Sequence, residues 1–189
     1  AEFEAEEIPF ERKPYTNPSS TLLEYHEAET DISANNESCV ARTEIINTTL
    51  NNFGVGAQVV GYTIGPSVTR FDIKMNPGVS VSIINRYIDD ISVDLRGLLV
   101  RYEPIVYGKA TSGLEVPNEI RTNVGLREAI EKLPQGDKYL RYIPFGKNIS
   151  GELVSADLSD APHMLVSGTT GSGKTIFIHS VLITLLMRN

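Results

Sequence analysis

Residues 163–189 read HMLVSGTTGSGKTIFIHSVLITLLMRN. At the centre of this stretch, Gly168-Thr169-Thr170-Gly171-Ser172-Gly173-Lys174-Thr175 fits the pattern G-x-x-x-x-G-K-[ST] of a phosphate-binding loop. The residue types follow from the chemistry. Glycines let the backbone curl so that successive N–H groups point into one concavity, which suits phosphate oxygens. A helix starting behind the loop adds the positive end of its dipole. Lys174 then reaches the β- and γ-phosphates of ATP, and the Thr175 hydroxyl is the Mg²⁺ ligand. The flanks agree with this reading. Met164, Leu165 and Val166 form a short apolar run, expected as a buried strand before the loop. Residues 176–187 are apolar without Gly or Pro, expected as a buried helix after it.

The chain ends fourteen residues after Thr175. A working P-loop site uses a second acidic residue, on a later strand, for Mg²⁺ and water. The expectation is therefore that this chain alone turns over negligible ATP. The loop should be loose or misplaced, while residues 37–116 form a well-ordered unit.

Composition is that of an ordinary globular protein of 189 residues, with 41% hydrophobic and 22% charged residues. The net charge of −7 is unevenly spread: residues 1–31 carry nine acidic and two basic side chains, and the remainder is balanced. The charge therefore leaves no nucleic-acid footprint of its own, although a basic channel lining can exist inside a neutral domain. A single cysteine, Cys39, excludes an internal disulfide framework and reads as a small core residue. No secretory signal or membrane span is legible, and the expected location is cytoplasmic. His163 and His179 read as structural histidines, with a place near an adenine as the alternative for His163. Asp157 and Asp160 precede the loop and are poor candidates for its Mg²⁺ acid. No metal-ligand cluster and no Ser/His/Asp arrangement stands out.

Taken in order, residues 1–32 read as an acidic linker or loose arm with three prolines, on which Leu22, Leu23 and Tyr25 could dock and His26 is exposed. A helix starts near 33–36, with Cys39, Ile46, Leu50 and Phe53 on one face and Gly54 as its stop. Residues 55–64 read as a strand bent at glycines. Gly65-Pro66-Ser67 is a turn, and residues 68–75 alternate as the partner strand, with Phe71, Ile73 and Met75 on its dry side. Residues 80–97 read as an amphipathic helix with Ile84, Ile88, Ile91, Leu95 and Leu98 in one stripe. Strands over 99–106 and 114–116 complete an α+β small domain over 33–117. Pro117-Asn118 opens a second section, 118–189. It contains a helix over 124–133 capped by Thr122 or Asn123, a strand over 140–145, a hairpin-type turn at 146–151 and a return strand over 152–158.

These residues resemble the FtsK/SpoIIIE family of DNA-pumping ATPases. The likeness rests on Gly146-Lys147-Asn148-Ile149-Ser150-Gly151-Glu152, on Ala156-Asp157-Leu158, and on the run from Pro162-His163 through Lys174. It rests also on Gly65-Pro66-Ser67-Val68-Thr69-Arg70-Phe71 and on Gly113-Leu114-Glu115-Val116-Pro117-Asn118 with Arg121. The resemblance implies that 33–117 is the motor's α domain and 118–189 the truncated beginning of an α/β RecA-like P-loop domain. It implies ATP and Mg²⁺ at Gly168, Thr169, Thr170, Gly171, Ser172, Gly173, Lys174 and Thr175, with Lys174 catalytic. It also implies a hexameric ring that drives double-stranded DNA, and a parent chain that is in many relatives anchored in the membrane. Two other readings stand beside it: a ring-assembly module that binds nothing tightly itself, and a related ATPase that exports protein.

Overall fold

The computed structural model describes residues 16–26 and 30–189, with side chains from residue 35 onward in the helix that begins at Thr30. Of the arm expected at 1–32, residues 1–15 and 27–29 lie outside the described residues. Of the side chains expected to dock, Leu22 is exposed; the segment is held instead at a 3-10 turn, Ser20–Leu22, capped by the Ser19 hydroxyl, which puts Ser20 Oγ 2.9 Å from Glu131 Oε1. Tyr25 lies under the Arg127 guanidinium, 5.7 Å from the ring centroid.

The first unit is a four-stranded antiparallel sheet in the order β1-β2-β4-β3, with β1 Ala57–Ile64, β2 Val68–Met75, β3 Arg101–Glu103 and β4 Ser112–Pro117. The expected hairpin of β1 and β2 is present. Its glycine bend is a bulge: pairing shifts between Val59 and Gly61, so Val60 is the extra residue and stands exposed. The inward-facing positions of β1 accordingly change parity, from Ala57 and Val59 before the bulge to Tyr62 and Ile64 after it. The register then aligns Tyr62, Phe71, Leu114 and Tyr102 as one row across four strands. The last strand of the unit in sequence is thus central in the sheet, and the strand expected over 99–106 shrinks to a three-residue edge.

Helices α1 (Thr30–Asn52) and α2 (Ile88–Asp94) contribute to the core on the dry face, where Cys39, Ile46, Leu50, Ile84, Ile91 and Leu95 join Phe71, Ile73, Leu114 and Val116. The apolar stripe expected over 80–97 faces the core, with Ile84, Ile91 and Leu95 buried and Ile88 and Leu98 partly so, but its carrier is not one α-helix. Val81–Tyr87 is a 3-10 helix that passes into α2. The 3-10 winding eclipses residues three apart, so it cannot carry a stripe of 3.6 period by itself. Phe53 falls beyond the end of α1 and lies against Tyr87, with ring centroids 4.8 Å apart, instead of entering the core.

Half of the buried face of α1 is polar. Asn35, Arg42 and Thr49 are buried alongside Cys39, Ile46 and Leu50. Each polar group has a partner, as burial requires. Asn35 Nδ2 donates to Ile120 O (2.8 Å), Arg42 Nη1 to Pro117 O (2.8 Å), and Thr49 Oγ1 to Asp94 Oδ2 (2.6 Å). Segment 117–122 is therefore strapped to the first unit. Asn118, buried, donates from Nδ2 to Gly65 O (2.7 Å) and accepts at Oδ1 from Thr69 Oγ1 (2.8 Å). Cys39 packs its Sγ 3.6 Å from Thr69 Oγ1, the small core role expected of it.

The remaining elements are α3 (Leu126–Glu131), the antiparallel hairpin of β5 (Tyr142–Lys147) and β6 (Leu153–Asp157), and α4 (Lys174–Arg188). The α3 helix starts later than expected: its N-cap is Gly125, without a side-chain cap from Thr122 or Asn123. The described residues thus form an α+β structure with two small antiparallel sheets. The two units touch where the β1–β2 turn meets the β5–β6 turn. A Cβ placed on Gly65 would lie 2.9 Å from Val68 O and 3.1 Å from Ile149 Cα, so only glycine allows this approach.

Candidate nucleotide-binding site

Residues 161–173 connect the β5–β6 hairpin to α4. Asp157 ends β6 by capping the 3-10 turn Leu158–Asp160, accepting from Ser159 N (2.8 Å) and Ser159 Oγ (2.6 Å). Those bonds, followed by Arg141, hold its carboxyl below the usual aspartate range. The strand expected at 164–166 does not form; Leu165 is 91% exposed and Met164 42%. A three-residue apolar run gains strand pairing only from a neighbouring edge. Among the described residues, β5 and β6 pair with each other and no strand pairs with this run.

The loop itself is folded back on its lysine. Lys174 Nζ donates to Gly168 O (2.7 Å) and Thr169 O (2.8 Å), placing the ammonium across the mouth of the turn. Ser172 N donates to Thr169 O (3.2 Å). Gly171 and Gly173 have φ of +80° and +91°, the left-handed conformations that favour glycine there. Gly168 is fixed by crowding, since a Cβ there would collide with Ser172 Oγ and lie 3.1 Å from Ser172 Cβ. Gly168, Thr169, Ser172 and Lys174 are thereby brought together. Thr170 and Thr175 are exposed beside them, and Thr175 stands on the first turn of α4. The curled backbone, the left-handed glycines and the lysine at the mouth fit a bound phosphate chain, and a threonine hydroxyl is a hard oxygen donor suited to Mg²⁺.

The expectation of a buried helix behind the loop is half met. The helix exists, but its two buried residues, Thr184 and Arg188, are polar, and its apolar residues are half-buried or exposed. Thr184 and Arg188 turn inward; Arg188 Nη2 donates to Pro134 O (2.6 Å) and Tyr139 O (3.0 Å). Ile176, Ile178, Leu182 and Leu186 are exposed by 49–68%. His163 and His179 are exposed too, so neither is a buried structural histidine.

Two features here were not anticipated. One is an ionic cluster: Glu128 of α3 receives Lys132 Nζ at 2.7 Å and Lys147 Nζ at 3.0 Å on both oxygens. The Lys132 bond first, then Lys147, draws the Glu128 carboxyl below the ordinary glutamate range. The other is a groove of about 300 Å³ that opens beside Gly173, between α3, β5 and the first turns of α4. On its wall Phe145 and Phe177 stack at 5.8 Å and 21°. The visible signal for the groove was the Pro144-Phe145-Gly146 triplet, which resists regular pairing. No cluster of His, Cys, Asp or Glu able to hold a metal occurs among the described residues, and no helix there is long and apolar enough to cross a membrane.

The comparisons agree with the resemblance seen in the sequence. The FtsK alpha domain model matches residues 17–118, and the FtsK/SpoIIIE family model matches residues 126–189. The DNA translocase FtsK of Caldanaerobacter subterraneus is 42% identical over 179 residues, covering 94% of this chain and 25% of that protein. The DNA translocase SpoIIIE of Bacillus subtilis is 36% identical over 179 residues, 94% of this chain and 23% of that protein. This chain thus spans about a quarter of the length of these relatives. Among solved structures, the pCW3 conjugation coupling protein TcpA, in its monomer form with ATPgS, aligns over 77% of this chain and 42% of its own, with TM-score 0.33 and 19% identity. With the two family matches running in sequence order over most of its length, the chain belongs to the FtsK/SpoIIIE family.

Proposed function

We propose that this chain is the α domain and the opening of the RecA-like domain of an ATP-driven motor that moves double-stranded DNA. Its units are an arm at 1–32, an α domain at 33–117 and the start of the ATPase domain at 118–189. The observation that carries the reading is the loop at 168–175. Four of its residues converge, Gly171 and Gly173 adopt left-handed conformations that favour glycine, Gly168 is crowded by Ser172, and the lysine spans the mouth. The backbone N–H groups and Lys174 would hold the phosphates, and the Thr175 hydroxyl would hold Mg²⁺, which offsets phosphate charge when bound. Lys174 already rests on two carbonyls, so phosphate oxygens replace those acceptors without the ammonium travelling far. The names of the relatives support DNA as the partner. A ring of six subunits belongs to the same reading, as does a cytoplasmic motor whose parent can carry a membrane anchor.

In a longer family protein carrying this segment, Lys174→Ala should abolish ATP hydrolysis stimulated by double-stranded DNA. Undiminished hydrolysis in that variant would refute the assignment. Hydrolysis indifferent to DNA would favour a protein-exporting ATPase instead.

A further inference from the structure

We infer that the groove beside Gly173 seats the base of a nucleoside triphosphate, with Phe145 as its stacking platform. This rests on the reading of 168–175 as the phosphate cradle and extends it to residues outside the motif.

Three observations converge. The first is continuity: Gly173, Ile176, Phe177 and Ser180 line the groove, and residues at that spacing form one stripe of α4 starting at the loop itself. The stripe runs about 10 Å along the helix, so a ligand held by its phosphates at the loop can lay its other end there. The second is a bulge. Pro144 pairs with Ser155 and Gly146 with Val154, which leaves Phe145 as the extra residue of β5. Gly146, at φ +132°, absorbs the distortion. Bulges of this kind re-aim a side chain, and here the ring is 46% exposed and turned into the groove, stacked on Phe177. Burying Phe145 in the hairpin would be the expected use of so large an apolar side chain. The third is chemistry. No ionisable side chain lines the groove, and the Ser180 hydroxyl already donates to Ile176 O (2.9 Å). A neutral, planar, aromatic ligand suits such walls, whereas a charged one does not.

The experiment is calorimetric titration of the purified chain, in Mg²⁺ buffer, with ATP and with inorganic triphosphate. Wild type should bind ATP more tightly than triphosphate. Phe145→Ala should weaken ATP by about tenfold or more, as expected when a base loses an aromatic partner, and leave triphosphate unchanged. Phe145→Trp should restore ATP binding. Equal affinity of wild type for the two ligands, an unaffected ATP affinity in Phe145→Ala, or a parallel loss of both ligands would overturn the base site while leaving the phosphate loop standing. Lys174→Ala should remove both ligands. If wild type binds neither, the phosphate-loop reading fails and the base site fails with it.

Discussion

Asn118→Leu should destabilise the chain by about 3 kcal/mol, because one buried side chain closes the strap between the first unit and the segment leading to the phosphate loop. Asn118 Nδ2 donates to Gly65 O at 2.7 Å, and Oδ1 accepts from Thr69 Oγ1 at 2.8 Å. Thr69 is fully buried, so water cannot replace the lost partner. Two neutral buried hydrogen bonds contribute about 1 kcal/mol each, and the stranded Gly65 carbonyl and Thr69 hydroxyl add a desolvation cost of about 1 kcal/mol or more. Leucine has the same branched skeleton and is somewhat larger, so no cavity is left. Urea unfolding followed by far-ultraviolet circular dichroism measures the effect, with a fall in Tm of roughly 6–12 °C as the thermal counterpart. The cause can be isolated with Thr69→Val, which removes the hydroxyl that Asn118→Leu would orphan. The double variant should cost at least about 1 kcal/mol less than the sum of the single ones. A cost under about 1 kcal/mol for Asn118→Leu, or strict additivity of the pair, would refute the strap.

Two further outcomes follow from the second unit. Lys132 and then Lys147 hold the Glu128 carboxyl below its ordinary value of 4.5, so the folded chain takes up that proton less readily than the unfolded one. Its stabilisation is complete above about pH 4.5 and is lost as pH falls through the lower folded value. Glu128→Gln should therefore lower stability at neutral pH and flatten the stability profile below pH 4.5, as read by urea titrations across that range; an unchanged acid slope would show that the cluster contributes nothing. The exposed Ile176, Ile178, Leu182 and Leu186 form an apolar surface on α4. Leu182→Gln with Leu186→Gln should reduce binding of an apolar fluorescent dye and leave helix content unchanged, and dye fluorescence equal to wild type would contradict the exposure of that face.

Several features were legible in the sequence because their causes are local. Period-two alternation marked 68–75 as a half-buried strand, and Phe71 and Ile73 are fully buried. Glycine marked the end of α1, where Gly54 has φ +64°, and the bend in β1. The fixed spacing of Gly168, Gly173 and Lys174 marked a turn in which Gly168 is crowded by Ser172, Gly173 takes a left-handed conformation and Lys174 closes back on the Gly168 carbonyl. What stayed hidden depends on partners distant in sequence. The inward face of α1 carries Asn35, Arg42 and Thr49, so its amphipathic signal was weak; those residues face inward because the strap 117–122 and Asp94 supply their bonds. The apolar run at 164–166 has the composition of a strand, but composition cannot supply an edge to pair with. Phe145 looked like one more strand residue until the β5–β6 register left it unpaired and turned toward the loop. Backbone conformation and side-chain period are set by neighbours along the chain, and the sequence by itself determined them. Which edge pairs, which face is covered and which polar group is satisfied depend on residues brought together from afar, and only the tertiary structure decided those.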